Sequence, residues 1–329
     1  MMEISWGIIG CGDVTEVKSG PAFNKINSSR LQAVMRRNAE KVKDYATRHK
    51  VPKYYTNASE LINDPEVNAV YVATPPAFHE AYAIEALQAG KPVYLEKPVA
   101  LNAASAKRIA DAAKQHGVKL SIAHYRREQP LFKKIKDLLN SRFIGDIRII
   151  DLRLFQSVKK ERLQALTENW VLDPAISGGG LFHDLAPHSL DLMLYFFGAP
   201  SYTQGLSFNQ GAFYKADDIV NGAMVFDRKI IFNGLWSFAV PAHEARDSCE
   251  IIGSEGKIRF GIFQNQGITI ARNGIEETLN FDPLPHVQQP MIEKVVQYFL
   301  GQSQNPCSGE EGVEVMKMMD IMTMPLKKF

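Results

Sequence analysis

Residues at two places in this chain are of types that could support acid–base chemistry. The first place is Lys97, which lies between Glu96 and Pro98 directly after the apolar run 93–95. Proline disfavours helical geometry in the residue before it, so Lys97 is predicted to sit in an extended turn at the carboxyl end of a strand. Ligands of open α/β sheets bind at that end, which favours Lys97 as a catalytic group. The alternative interpretation is a solvated surface lysine.

The second place is the segment that begins with the glycines at 178–180. If this segment is helical, Asp184 and His188 lie one turn apart on a single face, with Asp191 one turn further along. A carboxylate at that spacing can fix the tautomer of the imidazole and raise its basicity, as a general acid or base requires. Two alternatives stay open: a buried structural Asp–His contact, or a helix that begins only near Pro187 and leaves Asp184 outside it.

A metal site is not predicted. His183 and His188 are five residues apart, and no second cluster supplies further ligands. The three cysteines, Cys11, Cys249 and Cys307, are widely separated and odd in number, which indicates a reducing compartment rather than a disulfide framework.

The bulk composition is that of ordinary globular protein. The 329 residues are 45% hydrophobic and 22% charged, which predicts about two domains. A net charge of +2, from 38 basic and 36 acidic residues, gives no general field to attract nucleic acid or a membrane surface. The amino terminus lacks the pattern of an export signal, and no apolar run is long enough to span a membrane, so a cytoplasmic location is predicted.

The elements that must position Lys97 follow a βαβ pattern from residue 4 to about residue 124. Short apolar runs alternate with helical stretches, which is typical of a doubly wound parallel sheet. Strands are predicted at 4–9, 30–35, 69–72, 93–95 and 119–123, and helices at 42–49, 77–89 and 103–116.

The first strand ends in a glycine turn that predicts a dinucleotide site. Gly10 and Gly12 permit a tight turn, and Asp13 and Val14 open the next helix, where backbone N–H groups can approach a pyrophosphate. The fingerprint is incomplete, because Thr15 stands where a third small residue is expected. Its position after the first strand of the chain supports the assignment.

The end of the second strand bears on the choice of cofactor. Arg36 and Arg37 stand where an NAD-binding fold normally offers a carboxylate to the ribose hydroxyls, and two guanidiniums suit a 2′-phosphate. NADP(H) is therefore predicted, with NAD as the alternative; both arginines could also simply begin a solvated helix. After the third predicted strand, Thr74 and Pro75 are expected beside the cofactor and His79 at the mouth of the crevice.

A second domain is predicted from residue 125 onward. After helices at 130–140 and around Asp184, the chain reads as strands at 147–155, 202–208, 219–226, 230–238, 248–252, 257–260, 268–270 and 275–279, and then as terminal helices at 286–300 and 310–322. The strand at 230–238 has apolar residues of both parities, so its sheet is predicted to be apolar on both faces. A face that the chain does not cover would need a partner subunit, and a homodimer or homotetramer is predicted. The alternative is a third internal layer.

These residues together resemble the Gfo/Idh/MocA oxidoreductase family over nearly the whole chain. The order and spacing of the family are matched by Gly10-Cys11-Gly12, Thr74-Pro75 with His79, Glu96-Lys97-Pro98, and the glycines 178–180 followed by Asp184 and His188. The resemblance implies a Rossmann dinucleotide-binding domain at 1–124 and, at 125–329, an α/β domain for substrate binding and oligomerisation. The second domain is expected to carry an open, mostly antiparallel sheet. Typical substrates are sugars, polyols and related keto compounds.

The resemblance also implies roles for single residues. Lys97 matches the active-site lysine, His188 the proton-transferring histidine and Asp184 the carboxylate beside it, and Glu96 falls among the cofactor-binding residues. Tyr125, Arg126 and Trp170 are expected to line the substrate pocket. The chain departs from the family with Ala186-Pro187 before the histidine, Val171 in place of an arginine after Trp170, and Tyr125 in place of an asparagine.

The expected reaction is hydride transfer between a nicotinamide cofactor and a carbinol or carbonyl carbon of a sugar or polyol. An anhydro-ketose reductase is one candidate. Two alternatives belong to other classes: a glycosidase that keeps a bound NAD for transient oxidation, and a catalytically silent nucleotide sensor.

Overall fold

The computed structural model describes residues 3–157, 170–264 and 267–324. The chain divides into two compact units, Met1–Arg126 with Leu284–Val313, and Arg127–Pro283 with Glu314–Phe329. The structure differs from the predicted division for residues 284–313, which had been assigned to the second domain and belong to the first unit. The lysine, arginine and glutamate residues that follow Phe155 predict a polar loop, and residues 158–169 lie outside the described residues.

The described part of the first unit contains a six-stranded parallel sheet. Its strands are β1 (Ile4–Ile9), β2 (Ser29–Met35), β3 (Lys53–Tyr55), β4 (Ala69–Val72), β5 (Val93–Leu95) and β6 (Leu120–Ile122). Their order is β3-β2-β1-β4-β5-β6, which confirms the doubly wound Rossmann arrangement. The order reverses between β1 and β4, and ligands of such sheets bind outside the carboxyl ends of the strands at that point. The edge strand β3 was not predicted, because its three residues are only partly buried.

Five of the described helices accompany this sheet, and three of them begin at asparagine caps. They are α1 (Asp13–Val17), α2 (Ala39–His49), α3 (Ala58–Ile62), α4 (His79–Gln88) and α5 (Ala103–His116). The side chains of Asn38, Asn57 and Asn102 accept hydrogen bonds from backbone N–H groups at the starts of α2, α3 and α5. Such caps satisfy donors that a helix leaves unpaired at its first turn, which explains why these helices begin where they do.

The second unit, in the ranges described, carries α6 (Pro130–Asn140), α7 (Pro174–Ser177), α8 (Gly180–Phe197) and an eight-stranded sheet. The strands are β7 (Ile147–Phe155), β8 (Tyr202–Phe208), β9 (Ile219–Phe226), β10 (Ile230–Ser237), β11 (Arg246–Gly253), β12 (Gly256–Phe260), β13 (Gly267–Arg272) and β14 (Ile275–Asn280). Their order is β14-β13-β12-β11-β7-β10-β9-β8. β7 pairs with β10 in parallel, and the other described pairings in this sheet are antiparallel. The prediction of a mostly antiparallel sheet is confirmed.

The last two helices are α9 (Gln289–Phe299) and α10 (Gly309–Met322). In the first unit, the ring of Phe299 on α9 lies 5.5 Å from that of Trp6 on β1. Lys119 donates to the carbonyl oxygens of Tyr298 and Phe299 at 2.8 and 3.0 Å. These contacts account for the return of residues 284–313 to the first unit. The sequence shows that α9 has an apolar face, but not which sheet that face covers.

One face of the eight-stranded sheet leaves apolar side chains exposed. On β10, Phe232 and Trp236 are fully buried, whereas Ile231 is 51% exposed. The strand register aligns Ile231 with Ile149 on β7 and, through β9, with Tyr202 on β8. An apolar row therefore runs across the sheet.

None of the helices in the described ranges has the length and apolarity needed to cross a membrane.

An ion-paired cluster joins α1 to α2 behind the glycine turn. Two guanidinium nitrogens of Arg48 donate to the Glu16 carboxylate at 2.8 Å each, and Nε2 of His49 lies 2.8 Å from the same carboxylate. The hydrogen bonds from Arg48, ahead of the contact with His49, lower the pKa of Glu16 to about 2.

Glu16→Gln is expected to make stability less sensitive to acid. A depressed carboxyl pKa contributes stability above the ordinary value of 4.5, and this contribution is lost as the pH falls toward 2. The wild type should exceed the variant by about 1 kcal/mol or less at neutral pH, because the Glu16 side chain is 34% exposed. Urea unfolding across acidic pH measures this difference, with Glu293→Gln on exposed α9 surface as the control. A constant difference at all pH values would contradict the assignment.

Candidate active site

The glycine turn after β1 brings the backbone close to the loop after β4. Gly10 has φ +97°, and a Cβ there would lie 2.8 Å from the carbonyl carbon of Ala73 and the nitrogen of Thr74. The N–H groups of Gly10 and Cys11 donate to the carbonyl oxygen of Met35 at 2.9 and 3.2 Å. Only glycine fits at position 10, because a side chain would meet backbone and the left-handed conformation disfavours it.

The space beside the next glycine is open. Gly12 precedes α1, and a Cβ there would meet no atom within 4 Å. Asp13 and Val14 form the first turn of α1, where backbone N–H groups have no intrahelical acceptor. The hydroxyl of Thr15 donates to the carbonyl oxygen of Gly12 at 2.8 Å, and Tyr45 donates to the carbonyl oxygen of Thr15 at 2.9 Å. Thr15, in place of a third small residue, is therefore buried and closes the turn.

Two arginines follow β2 at the edge of this turn. Nη1 of Arg36 donates to the carbonyl oxygen of Cys11 at 3.2 Å, and the guanidinium of Arg37 lies 4.9 Å from the ring centroid of Phe78. Asn38 caps α2. The structure thus brings Arg36 to the glycine turn, and residues 36–38 include no carboxylate.

The loop after β4 holds a buried hydroxyl and a buried imidazole. Among the described residues, Thr74 Oγ1 is buried with no hydrogen-bond partner. His79 is fully buried, with Nε2 2.6 Å from the carbonyl oxygen of Thr74 and Nδ1 3.0 Å from that of Pro98. Burial lowers the pKa of His79, which favours the neutral ring. The sequence predicted His79 at the mouth of the crevice, and the structure instead buries it between the loops after β4 and β5. Its part in cofactor binding stays a prediction, as do those of Thr74 and Pro75.

Lys97 follows β5 and is partly exposed, and the Lys97–Pro98 peptide bond is cis. Glu96 is only 5% exposed, and its carboxylate accepts hydrogen bonds from Tyr71, Gln288 and the backbone N–H of Lys97. Glu96 is thus held within the protein by neighbouring side chains. The sequence offered no signal for Gln288, which lies 192 residues away.

The residues present fit a dinucleotide cofactor. The turn at Gly10 and Gly12 leaves open space in front of the first N–H groups of α1, and the buried Thr74 hydroxyl beside that turn lacks a described partner. A guanidinium at the end of β2 adds positive charge. Phosphate groups are stabilised at such helix starts and by arginine.

In the second unit, α8 carries the candidate general acid. The helix is continuous from Gly180 to Phe197 with Pro187 inside it, so Asp184 and His188 share one face and the helix does not begin at Pro187. His183, on the same helix, is 4% exposed, and burial lowers its pKa to about 4. His183 therefore stays neutral near pH 7 and is a poor proton donor.

The other carboxylate near His188, that of Asp191, is part of a buried ion pair. Arg127 donates to both oxygens of Asp191, from Nε at 2.9 and 3.0 Å and from Nη2 at 2.7 Å. The two side chains are 3% and 1% exposed. Asp191 lies one turn after His188 and forms this ion pair with Arg127, and Asp184 lies one turn before His188.

An aromatic edge lies against the candidate general acid. The ring of Phe263 is 5.5 Å from that of His188, with 84° between the planes. The carboxylate of Asp247 on β11 accepts hydrogen bonds from the backbone N–H groups of Ile262, Phe263 and Gln264 at 2.9, 2.7 and 2.7 Å. Asp247 thereby holds the turn that places Phe263. Sequence alone offered no signal for this contact.

The predicted substrate residues lie in different surroundings. Tyr125 and Arg126 are each 6% exposed, and the Arg126 guanidinium lies 5.5 Å from the Tyr125 ring centroid. Trp170, in the second unit, is 37% exposed. In the part of the chain that the structure describes, no group of three or more His, Cys, Asp or Glu side chains could hold a metal ion.

Comparisons with known proteins decide the family. Residues 4–124 match the model of an oxidoreductase family with an NAD-binding Rossmann fold, and residues 132–259 match that of the GFO/IDH/MocA C-terminal domain. Oxidoreductase P35 of Formosa agariphila is 47% identical over 320 residues, which is 97% of this chain and 98% of that protein. The chain belongs to the Gfo/Idh/MocA oxidoreductase family. It is therefore an NAD(P)-dependent oxidoreductase, as the sequence predicted.

Other members of the Gfo/Idh/MocA family are more distant. The 1,5-anhydro-D-fructose reductase of Ensifer adhaerens is 27% identical over 314 residues, 94% of this chain and 92% of that protein. Levoglucosan dehydrogenase in complex with NADH and levoglucosan superposes with TM-score 0.85 at 20% identity, covering 97% and 96% of the two chains. Aldose-aldose oxidoreductase from Caulobacter crescentus, complexed with glycerol, gives TM-score 0.85 at 21% identity, with the same coverage. These solved structures share the two-domain fold.

Arg127→Met should destabilise the protein by about 3–5 kcal/mol, because it leaves the Asp191 carboxylate buried without its ion-pair partner. The double variant Arg127→Met/Asp191→Leu should regain most of this loss, since an apolar pair needs no compensating charge. Guanidinium unfolding of the single and double variants tests the pair. Lys107→Met, which removes an exposed pair with Asp111, should change stability by less than about 1 kcal/mol. Equal losses in the single and double variants would contradict this account.

Proposed function

We propose that this oxidoreductase transfers a hydride between NADP(H) and a carbinol or carbonyl carbon of a sugar, polyol or related keto compound. The observation that carries the proposal is membership of the Gfo/Idh/MocA family, together with an acid–base group at Lys97 in the first unit and another at His188 in the second, each at the position the family's motif gives it. Lys97 follows a central strand of the nucleotide-binding sheet, and His188 shares a helix face with Asp184. Relatives named for a sugar reductase and a sugar dehydrogenase support a substrate of that class.

The chain's own residues handle the proton and the carbonyl oxygen. In reduction, Lys97 polarises the substrate carbonyl and His188 delivers a proton to its oxygen, so that hydride and proton together convert carbonyl to carbinol. In oxidation the same groups stabilise the alkoxide and accept the proton. When bound, the nicotinamide cofactor supplies or accepts the hydride.

Asp184 is proposed to orient His188. Two carboxylates lie one turn from the imidazole on α8, and both oxygens of Asp191 accept hydrogen bonds from Arg127. A carboxylate four residues before a histidine on one helix face can fix the tautomer of the imidazole. Asp184 is the other carboxylate at the required spacing.

The cofactor is proposed to bind along the carboxyl edge of the first sheet. Gly10, Gly12, Asp13 and Val14 form the pyrophosphate turn, and Thr74 and Pro75 lie on the adjoining loop. Arg36 and Arg37 favour a 2′-phosphate over free ribose hydroxyls, because a guanidinium binds phosphate strongly and residues 36–38 contain no carboxylate. NADP(H) is the proposed cofactor on this ground.

Tyr125, Arg126 and Trp170 are proposed to select the substrate. Tyr125 in the first unit and Val171 in the second replace an asparagine and an arginine that the family often carries, so the substrate contacts at each position are expected to differ from those of relatives that keep these residues. Fewer polar groups at these two positions favour a substrate with fewer hydroxyls to satisfy there.

We also propose that the exposed face of the eight-stranded sheet forms a homodimer or homotetramer interface. The apolar row of Tyr202, Ile231 and Ile149 lies beside a charged patch that contains Asp151, Arg153, Glu250 and Arg259. Both signs of charge occur in this patch, which suits an isologous contact between two copies of the same surface.

Lys97→Met and His188→Asn should each lower kcat by about 10²–10⁴-fold, since each removes a group that acts on the substrate oxygen. The loss of kcat in the double variant should be much smaller than the product of the two single losses, because groups that act on one step are not independent. A panel of sugars, polyols and keto sugars, followed by absorbance of the reduced nicotinamide with each cofactor, measures this. Lys43→Met and His116→Asn, on exposed surface, are the matched controls.

Three results would contradict the proposed reaction. Full activity of either single variant would remove the assigned role. Sugar release without net change in cofactor absorbance would indicate an NAD-dependent glycosidase. Cofactor binding with no turnover on the panel, unchanged by Lys97→Met, would indicate a nucleotide sensor.

Arg36→Ala/Arg37→Ala should weaken NADPH binding about 10- to 100-fold and NADH binding about threefold or less, because hydrogen bonds to a charged phosphate contribute about 1.5–3 kcal/mol. Titration of reduced-nicotinamide fluorescence gives both dissociation constants. Lys41→Ala/Lys43→Ala removes the same charge from exposed α2 and should leave the ratio unchanged. Equal losses for the two cofactors would mean that Arg36, bound to the Cys11 carbonyl, shapes the turn and does not read the phosphate.

A further inference from the structure

A buried polar network surrounds the residue that precedes Lys97. Oε1 of Glu96 accepts hydrogen bonds from the Tyr71 hydroxyl at 2.5 Å and from Nε2 of Gln288 at 2.7 Å. Oε2 accepts from the backbone N–H of Lys97 at 3.1 Å. The three donors come from β4, from the segment before α9 and from the lysine's own backbone, so they restrain the carboxylate from separate directions.

Gln288 is held at both ends of its amide. It is fully buried, and its carbonyl oxygen accepts from the Tyr94 hydroxyl at 3.3 Å while its NH₂ donates to Glu96. Its backbone N–H donates to the carbonyl oxygen of Lys18 at 3.2 Å. A phenol donor on one side and a carboxylate acceptor on the other specify one amide orientation. The side chain therefore has no freedom to turn away from Glu96.

The same network extends toward the glycine turn. Ser19 Oγ lies 3.2 Å from the Tyr71 hydroxyl and donates to the carbonyl oxygen of Val14 on α1 at 3.3 Å. Through Tyr71, the Glu96 carboxylate is thus connected to the helix that follows Gly12. The groups that would hold the cofactor and the lysine share one buried scaffold.

We propose that Gln288 is a positioning residue for Lys97, acting through the Glu96 carboxylate. The inference rests on the proposed function, in which Lys97 acts on the substrate oxygen. A buried carboxylate needs donors, and loss of one donor lets it shift toward those that remain. Oε2 of Glu96 bonds the Lys97 N–H, so such a shift moves the lysine backbone directly. Displacements of about 1 Å at reacting groups can cost about 100-fold in rate.

Gln288→Leu tests the proposal because it removes both polar ends at nearly the same volume. We expect kcat to fall about 10- to 100-fold while KM for the cofactor changes less than about threefold, since the Gln288 amide bonds to Tyr94 and Glu96 and to none of the glycine-turn residues proposed to bind the pyrophosphate. The matched control is Gln289→Leu, the same change at the next residue, which should keep the wild-type kcat.

A second readout does not depend on turnover. Acylation of lysines by an amine-reactive ester, followed by mass spectrometry of the peptide that contains Lys97, reports the environment of this amine with and without NADPH. Gln288→Leu should change the labelling rate of Lys97 at least about threefold relative to exposed Lys107. Gln289→Leu should leave that ratio unchanged.

Gln288→Glu supplies a pH profile that a purely structural role would not alter. The new carboxyl group would face Glu96, Tyr71 and Tyr94, and it can donate to Glu96 only when protonated. Two carboxyl groups that share a site retain one proton to higher pH. Burial raises the pKa of both tyrosines well above the ordinary value, so the phenols stay protonated throughout. Activity relative to wild type should therefore rise as the pH falls, and Gln289→Glu should show no such trend.

Failures of the two proposals are distinguishable. A wild type that turns over nothing on the panel refutes the proposed function, while Lys97 labelling still decides the role of Gln288. Unchanged labelling and a kcat within about twofold in Gln288→Leu would overturn the positioning role. The positioning role would also be overturned if Gln288→Leu lost thermal stability and cofactor binding together, and if the activity of the near-isosteric Gln288→Glu relative to wild type did not depend on pH. Gln288 would then have a structural role only.

Discussion

Burial of the Glu96 carboxylate is the constraint on which the nucleotide-binding unit depends. A polar side chain at 5% exposure is costly unless hydrogen-bond partners surround it, and the chain supplies Tyr71 and Gln288 for this purpose. One donor lies on a strand of the sheet and the other enters from near the carboxyl terminus. The unit is therefore complete only when residues 284–313 return to it. The stability of the fold and the geometry of Lys97 share this requirement.

The glycine turn obeys a second constraint, which is steric. The backbone at Gly10 lies against Ala73 and Thr74 at the point where the strand order reverses, and a Cβ would collide there. This close approach brings the loops after β1 and β4 together at one edge of the sheet. Candidate cofactor contacts from distant parts of the sequence meet because two strands are neighbours, not because the residues are close in the chain.

The second unit uses a single helix to present its chemistry. Helix α8 continues through Pro187, so Asp184 and His188 keep the spacing of one turn. The buried pair of Arg127 and Asp191 fixes this helix to the segment before α6 and commits the second carboxylate. The ring of Phe263 packs against the imidazole of His188, with the two ring planes nearly perpendicular.

The sequence by itself determined the local elements and the residue types at the site. Strands β1, β4 and β5 and helices α5 and α6 were predicted with their observed bounds, because apolar runs bounded by glycine, proline and asparagine have short-range causes. The Lys97 turn and the spacing of Asp184 and His188 were readable for the same reason.

Tertiary structure alone decided the long-range relations. The sequence did not predict the short edge strand β3, whose residues are not fully buried, or the return of residues 284–313 to the first unit. An amphipathic helix has an apolar face, but its sequence does not show which sheet that face packs against. Helix continuity through Pro187 depended on packing that outweighs a lost backbone hydrogen bond. Gln288 next to Glu96, and Arg127 on Asp191, pair residues 192 and 64 positions apart. Such a contact leaves no local pattern in the sequence, because the two buried polar groups become neighbours only in the folded chain.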